Sequence, residues 1–213
     1  MTMTTPQEHH EGLVELLQVA AIRNQSVGAA GHLATAVERL GQLTEPAPVR
    51  PATRSVVTEH LDRAVSLADA ANAELAGAVF AARETLHWRV AYEGVEGDEA
   101  FTHFRKNYAF ALLVAADPDA PAPFHHPELA MGFSLQAPNV HYGMHHHLAV
   151  EIYNIIGGTG EWKRNEGPWT PRPPGSVILH EAWDDHGMNT TDQPTLTWWT
   201  WVTDVTNSTP VMT

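Results

Sequence analysis

The sequence predicts an α+β protein with an N-terminal α-helical region, residues 1–116, and a C-terminal β-barrel, residues 117–213. Apolar residues recur at three- and four-residue steps through the first half, which is the period of an amphipathic helix. In the second half, short runs rich in β-branched and aromatic residues are separated by glycine and proline turns, as in antiparallel sheets. The chain of 213 residues, 43% of them hydrophobic, is long enough to bury a substantial core.

The helical half contains three periodic stretches. Residues 13–43 are interrupted by three glycines, so we expect two short helices or one broken helix there. Residues 45–54 hold several prolines and are expected to form a linker. An unbroken apolar stripe then predicts one long helix over residues 55–88, the longest in the protein, and a shorter helix is expected over residues 98–115.

The second half holds five segments with the composition of strands. They are residues 129–136, 150–156, 160–163, 176–179 and 195–202. So many short strands in a small space predict a sandwich or barrel that buries one face of each sheet. The proline-rich segment 117–127 connects the two halves, and we expect it to be either a mobile lid or a passive linker.

Composition excludes several classes of function. A net charge of −13 argues against a nucleic-acid or anionic-membrane partner. The absence of cysteine excludes disulfides, thiol nucleophiles and iron–sulfur clusters, so any metal must be held by nitrogen and oxygen ligands. No apolar run reaches the roughly 18 residues of a membrane span, and the polar N-terminus lacks the features of a signal peptide. We therefore expect a soluble, cytoplasmic protein.

The most informative segment is residues 141–160, HYGMHHHLAVEIYNIIGGTG. Side chains of equal parity share one face of an extended strand. Four such residues are His145, His147, Glu151 and Tyr153. Two imidazoles and a carboxylate on one face can converge on a divalent metal, and His186 from another strand is the expected fourth ligand. The ligand set suits Zn, Fe, Mn, Co or Ni, whereas His146, with the opposite parity, is expected to point away.

These residues resemble the sequence motifs of the cupin superfamily. The pattern His145-x-His147-x3-Glu151-x6-Gly158 matches the first cupin motif, and Pro173-x-Gly175 followed by His186 resembles the second. Asn139 stands where the first motif usually begins with glycine. The resemblance implies that the predicted barrel is a cupin double-stranded β-helix, or jelly roll.

The likeness extends to the dimethylsulfoniopropionate (DMSP) lyase group of cupins over roughly residues 100–204. The residues that carry it are Tyr142, His145, His147, Glu151, Tyr153, Trp162 and His186. It implies one divalent metal ion held by the HxHxxxE residues and the downstream histidine, with Tyr153 as the base. The implied reaction is a β-elimination that converts DMSP to dimethyl sulfide and acrylate, the activity of a carbon–sulfur lyase.

The chemistry of that substrate assigns further residues. Tyr142 has the opposite parity to His147, so it reaches the site only if the chain bends near Gly143; we expect it to orient substrate or to serve as a second base. A sulfonium cation is bound well by aromatic faces. The aromatic residues expected to bind substrate are Phe133, Trp162, Trp183, Trp199 and Trp201. The expected partner is a small zwitterionic or cationic molecule.

Two alternatives remain open from the sequence. The chain could be a lyase-like cupin acting on another small carboxylate substrate, as a non-haem metal oxygenase or an isomerase. It could also be a non-catalytic metal-binding cupin in which Tyr153 is structural. The helical half is expected to pack on the barrel or to form a dimer surface, in a protein that is a monomer or a homodimer.

Overall fold

The computed structural model describes residues 5–44 and 49–213. Pro46 and Pro48 of the predicted linker lie outside these residues. The rest of that linker runs without helix to Ala52, which forms an isolated bridge with His87. No helix in the described ranges has both the length and the apolar character that crossing a membrane requires.

The first helical stretch forms two helices, as predicted. Helix α1 spans Pro6–Asn24 and helix α2 spans Ala30–Leu40. Helix α1 begins with a capping box, in which the Thr5 side chain accepts from the Glu8 backbone N–H while the Glu8 side chain accepts from Thr5. These bonds satisfy amide groups that have no partner inside the helix.

The prediction of one long helix over residues 55–88 is wrong. The stripe is divided into α3, Ser55–Ser66, and α4, Ala73–Ala82. Between them, the Asp69 carboxylate accepts hydrogen bonds from the backbone and side-chain amides of Asn72. Such local bonds compete with helical ones, so the break lies where the stripe contains Asp and Asn. Helix α1, with 19 residues, is the longest helix in the described ranges.

The predicted helix over residues 98–115 is correct only in its first part. After the short strand β1, Trp88–Arg89, helix α5 spans Glu99–Lys106 and strand β2 spans Tyr108–Ala115. Strand β2 is mostly buried, and a strand with two buried faces loses the alternation that distinguishes it from a helix. The division of the chain after residue 116 stays a prediction, although β1 and β2 already belong to a sheet.

All five predicted strands are present, among ten that follow β2. These are β3 Phe124–His125, β4 Ala130–Gln136, β5 His141–His146, β6 Glu151–Gly157, β7 Gly160–Arg164, β8 Thr170–Arg172, β9 Val177–His180, β10 His186–Thr190, β11 Thr195–Trp201 and β12 Val211–Met212. A seven-stranded sheet has the order β1-β2-β4-β11-β6-β9, with β3 paired to β2, and a five-stranded sheet has the order β12-β5-β10-β7-β8.

Strand register decides which residues face the interior between the two sheets. On β11, Trp199 pairs with Tyr153 and Trp201 with Glu151, and residues opposite one another in an antiparallel pair share a face. That face meets the five-stranded sheet, since Tyr153 lies 6.1 Å from Trp162 between ring centroids. The opposite face of the large sheet packs against α3 and α4.

The α+β prediction is confirmed, with the helices covering the outer face of one sheet. The two sheets face each other, but within the described ranges no strand pair joins them into a closed barrel. One open seam lies between β8 and β9, which are edge strands of different sheets.

Candidate metal and catalytic site

Three predicted ligands come together in the interior. The ligand atoms of His147, Glu151 and His186 all lie within 4.8 Å of one another. Glu151 Oε2 is 3.0 Å from His147 Nε2 and 3.2 Å from His186 Nε2. All three side chains are buried. Glu151 begins β6 and His186 begins β10, so the group joins residues from both sheets.

Backbone carbonyls orient the imidazoles of this group. Nδ1 of His147 lies 2.9 Å from the Ala149 carbonyl oxygen, and Nδ1 of His186 lies 2.8 Å from that of Asp184. A carbonyl only accepts, so each Nδ1 carries a proton and each ring turns its Nε2 toward Glu151. This is the arrangement that metal-binding histidines commonly show.

The residues of the group therefore fit a divalent cation. His147 Nε2 shares a hydrogen bond with Glu151, whereas His186 Nε2, 3.2 Å from the same carboxylate oxygen, forms none in the described structure. A cation among the three atoms would satisfy all of them at once. Burial opposes the charge of Glu151, but His147 and His186 outweigh it and hold the pKa of Glu151 well below its usual range. A buried ionised carboxylate facing two imidazoles is a suitable donor set for zinc, iron or manganese.

His145 lies beside the group, and its atoms are not among the three that converge. Its ring centroid is 4.2 Å from that of His186 and 6.3 Å from that of His147. Nδ1 of His145 is 3.0 Å from the Gly143 carbonyl oxygen, which leaves Nε2 free to accept. Burial lowers the pKa of His145 well below its usual value, and His186 adds to this effect. Its role as a ligand stays a prediction.

The chain bends near Gly143, the condition under which Tyr142 was expected to reach the site. On β10, His186 and Met188 are two residues apart, but their partners His145 and Tyr142 on β5 are three apart. The extra residue is a β-bulge, and it brings Tyr142 onto the same face as His145. Their rings stack with centroids 4.1 Å apart and planes 5° apart. His146 points away, as predicted, and its Nδ1 is 2.9 Å from Asp185.

A cavity of about 400 Å³ opens beside the group. All four tyrosines of the chain line it, namely Tyr92, Tyr108, Tyr142 and Tyr153. Tyr153 is 3% exposed, and burial and the Glu151 charge raise its pKa well above the usual value. Burial also raises the pKa of Tyr92 to about 12. The site as described thus holds neutral phenols around one buried carboxylate.

Only two of the aromatic residues expected to bind substrate line this cavity. Trp199 and Trp201 do so because they share the inner face of β11 with Tyr153 and Glu151. Phe133 pairs with Trp198, so it faces the helices and is fully buried.

The other two tryptophans that were expected to bind substrate, Trp162 and Trp183, also lie outside the catalytic cavity. Trp183 is 58% exposed in the turn before β10, with its ring 5.6 Å from that of His146. Trp162 is buried and lines a different cavity. The substrate-binding role assigned to Phe133, Trp162 and Trp183 stays a prediction that these positions do not favour.

Several residues of the site were not identified from the sequence. Tyr92 follows β1 and donates to, or accepts from, the Tyr142 hydroxyl at 2.9 Å. Tyr108 and Phe110 belong to β2, a segment for which the sequence predicts a helix. His180 stacks on His186 with centroids 4.1 Å apart. The alternation of side chains around Glu151 could not reveal these residues, because their positions depend on pairing with distant strands. No residue of segment 117–127 lines the cavity, so its position does not favour a lid.

Comparison with known proteins identifies the family to which the chain belongs. The family model described as dimethylsulfoniopropionate lyase matches residues 31–197. The dimethylsulfoniopropionate lyase DddQ of Ruegeria pomeroyi is 27% identical over 168 residues, 79% of each chain. The crystal structure of DMSP lyase DddQ from Ruegeria pomeroyi DSS-3 superposes with a TM-score of 0.80 and 26% identity over 96% of both chains.

A second solved structure has the same fold. It is described as DMSP lyases RdDddP and RnDddQII, and it superposes with a TM-score of 0.67 and 22% identity, covering 96% of this chain and 99% of that one. The family model spans most of the present sequence, including every residue of the candidate site except those beyond 197. The chain therefore belongs to the dimethylsulfoniopropionate lyase family.

Proposed function

We propose that the protein is a metal-dependent lyase that eliminates dimethyl sulfide from DMSP and leaves acrylate. One observation carries the proposal: the buried group His147–Glu151–His186 borders a cavity that all four tyrosines of the chain line. The family supports the substrate, and the cavity offers a cation site, aromatic faces and a candidate base within one space.

His147, Glu151 and His186 would hold the divalent metal, with His145 as the proposed fourth ligand. When bound, the metal supplies a Lewis acid that stabilises negative charge on a substrate carboxylate and favours ionisation of nearby acids. The metal is one of Zn, Fe, Mn, Co or Ni. The backbone contacts of the histidine Nδ1 atoms keep the rings oriented for this role.

Tyr153 is the proposed base. Its phenolate oxygen would remove a proton from the carbon next to the substrate carboxylate. The electron pair of that C–H bond becomes the new C=C bond, the C–S bond breaks, and its electron pair leaves with the neutral dimethyl sulfide. Burial and Glu151 oppose the phenolate in the described structure, so the base form depends on a nearby cation to offset them.

The aromatic walls are proposed to bind the sulfonium group of a small zwitterionic substrate. A sulfonium cation offers no hydrogen-bond donor, and the faces of tyrosine and tryptophan attract such cations. Trp199 and Trp201 contact each other with ring centroids 5.8 Å apart, and Phe110 lies 6.5 Å from Trp199. Tyr142, stacked on His145, would orient the substrate or serve as a second base. Cytoplasmic location and a monomeric or dimeric state stay predictions.

The proposal is tested with the metal-loaded protein and DMSP. Dimethyl sulfide is measured in the headspace and acrylate by NMR, against a metal-only control, while an electrode records oxygen. Equal amounts of the two products without oxygen uptake support the elimination. Oxygen uptake without dimethyl sulfide would favour the oxygenase alternative, and absence of turnover with retained metal would favour a binding protein; either result contradicts the proposal.

A further inference from the structure

A second cavity, of about 340 Å³, lies at the open seam between β8 and β9. Residues 117–213 contain three basic side chains, Lys163, Arg164 and Arg172, and all three line this cavity. In a chain of net charge −13, this concentration of positive charge at one opening is a local reversal of the protein's field.

The walls of the seam cavity present buried donors that have no acceptor. The indole Nε1 of Trp162 and the Nε of Arg172 are buried without a hydrogen-bond partner in the described structure. Both groups can only donate. Trp162 is 3% exposed and His180 is fully buried, and neither ring nitrogen of His180 has a partner. Buried polar groups are rarely left unpaired, so these side chains indicate a ligand rich in acceptors.

Two of the cations are also without an acidic partner. Among the residues that the structure describes, Arg164 lies 3.7 Å from Asp184, whereas no carboxylate lies within 4.0 Å of Lys163 or Arg172. Val177 and Ile178 add apolar surface to the same cavity. Cations, neutral donors and some apolar surface together suit a small organic carboxylate.

The seam cavity and the catalytic cavity are separated by a single layer of side chains. His180 lines the seam and stacks on His186 of the metal group. Trp162 lines the seam and lies 6.1 Å from Tyr153, which lines the catalytic cavity. Glu93 and Glu151 line the catalytic cavity, whereas no lysine or arginine of residues 5–44 and 49–213 does. The basic side chains of residues 117–213 are therefore gathered at the seam and not in the catalytic cavity.

We infer that the seam is a carboxylate-binding site that receives acrylate, the anionic product of the reaction, across the layer of side chains that separates it from the aromatic cavity. The inference rests on the proposed function for the identity of the anion. The donors of Lys163, Arg172 and Trp162 bind the carboxylate, and Ile178 contacts its vinyl end. The same positive charge disfavours the sulfonium end of the substrate at the seam.

The test is calorimetric titration of acrylate into the metal-loaded protein and its variants. Replacing both seam cations, in K163Q/R172Q, should weaken acrylate binding about tenfold or more, because the carboxylate loses two charge-assisted hydrogen bonds. The variant K106Q/R63Q makes the same change in net charge at exposed residues of other elements and should bind acrylate as the native protein does. Arg172→Lys keeps the charge and should retain most of the affinity.

Equal acrylate affinity in the native protein and in K163Q/R172Q, with near-ultraviolet circular dichroism showing a native fold, overturns the inference. Tighter binding of inorganic phosphate than of acrylate at the same residues also overturns it, because the site would then belong to a phosphate. The two proposals fail separately. If dimethyl sulfide is released but acrylate binding does not depend on Lys163 and Arg172, only the seam site is contradicted. If acrylate binding depends on these residues but no dimethyl sulfide is released, only the proposed lyase activity is contradicted.

Discussion

The hydroxyl oxygens of Tyr92 and Tyr142 lie 2.9 Å apart and connect the segment after β1 to the bulged strand β5. Their rings meet edge to face at 6.1 Å, and Tyr142 in turn stacks on His145. Tyr92 has a positive φ of 54°, which is uncommon for a residue other than glycine. The contact therefore holds a strained backbone segment against the wall of the catalytic cavity.

Tyr92→Phe should lower kcat/KM for DMSP by up to about tenfold, since one hydrogen bond contributes about 1 kcal/mol. The reason is that Tyr142 loses the partner that fixes its hydroxyl. A double-mutant cycle with Tyr142→Phe measures the coupling directly. If the two substitutions have additive effects on kcat/KM, Tyr92 does not act through Tyr142.

Gly158→Ala should destabilise the fold by about 2 kcal/mol or more. Gly158 has φ of 80°, and a Cβ there would overlap the Pro194 carbonyl oxygen. Gly12→Ala is the matched control: it lies within α1 with no atom within 4 Å of the added Cβ, and it should stabilise by about 0.5–1 kcal/mol. Urea unfolding measures both values. Equal stability of Gly158→Ala and the native protein would show that the turn before β7 has a different conformation.

The free energy of unfolding should decrease in mild acid because of His10. Burial and the neighbouring His9 lower the pKa of His10, although its hydrogen bond with Thr85 acts in the opposite direction. In the unfolded chain the pKa is about 6.5, so below that pH the unfolded state binds more protons and stability decreases. His10→Gln cannot titrate, and its urea midpoint should therefore fall less between about pH 7 and about pH 5. Identical pH slopes for the two proteins would contradict the role of His10.

Glu151→Gln should reduce metal affinity by about a hundredfold or more. Loss of a residue that only hydrogen-bonds to a metal ligand already costs about tenfold to a hundredfold. The substitution removes the charge that faces His147 and His186 while keeping the side-chain volume. Glu166→Gln, at an exposed residue after β7, is the control and should bind metal normally. Elemental analysis after dialysis gives the occupancy. Full occupancy in Glu151→Gln would mean that the metal lies elsewhere.

Parity singled out His147 and Glu151, but the single extended strand on which that prediction relied is not present in the described part of the chain. The chain bends at residues 147–150, between β5 of one sheet and β6 of the other, and this bend brings His147 and Glu151 together. His146 points outward, toward Asp185. The parity of Tyr142 also indicated that this residue could reach the site only if the chain bends near Gly143. The bulge on β5 supplies that bend.

Features that depend on pairing between distant segments could not be predicted. The sequence of strand β2 predicts a helix because its buried residues do not alternate with exposed ones. Tyr92, Tyr108 and His180 reach the site through partners far away in the chain. Phe133 was assigned to the cavity on residue type, yet its pairing with Trp198 places it on the opposite face of the sheet.

The most direct test of the central claim is dimethyl sulfide release by metal-loaded Tyr153→Phe, compared with the native protein at equal metal content. The rate in Tyr153→Phe should be at least about a hundredfold lower, because a positioned general base contributes roughly that much or more, and metal occupancy should be unchanged. A rate in Tyr153→Phe equal to that of the native protein would contradict the account, since the proton would then have to be removed by another group.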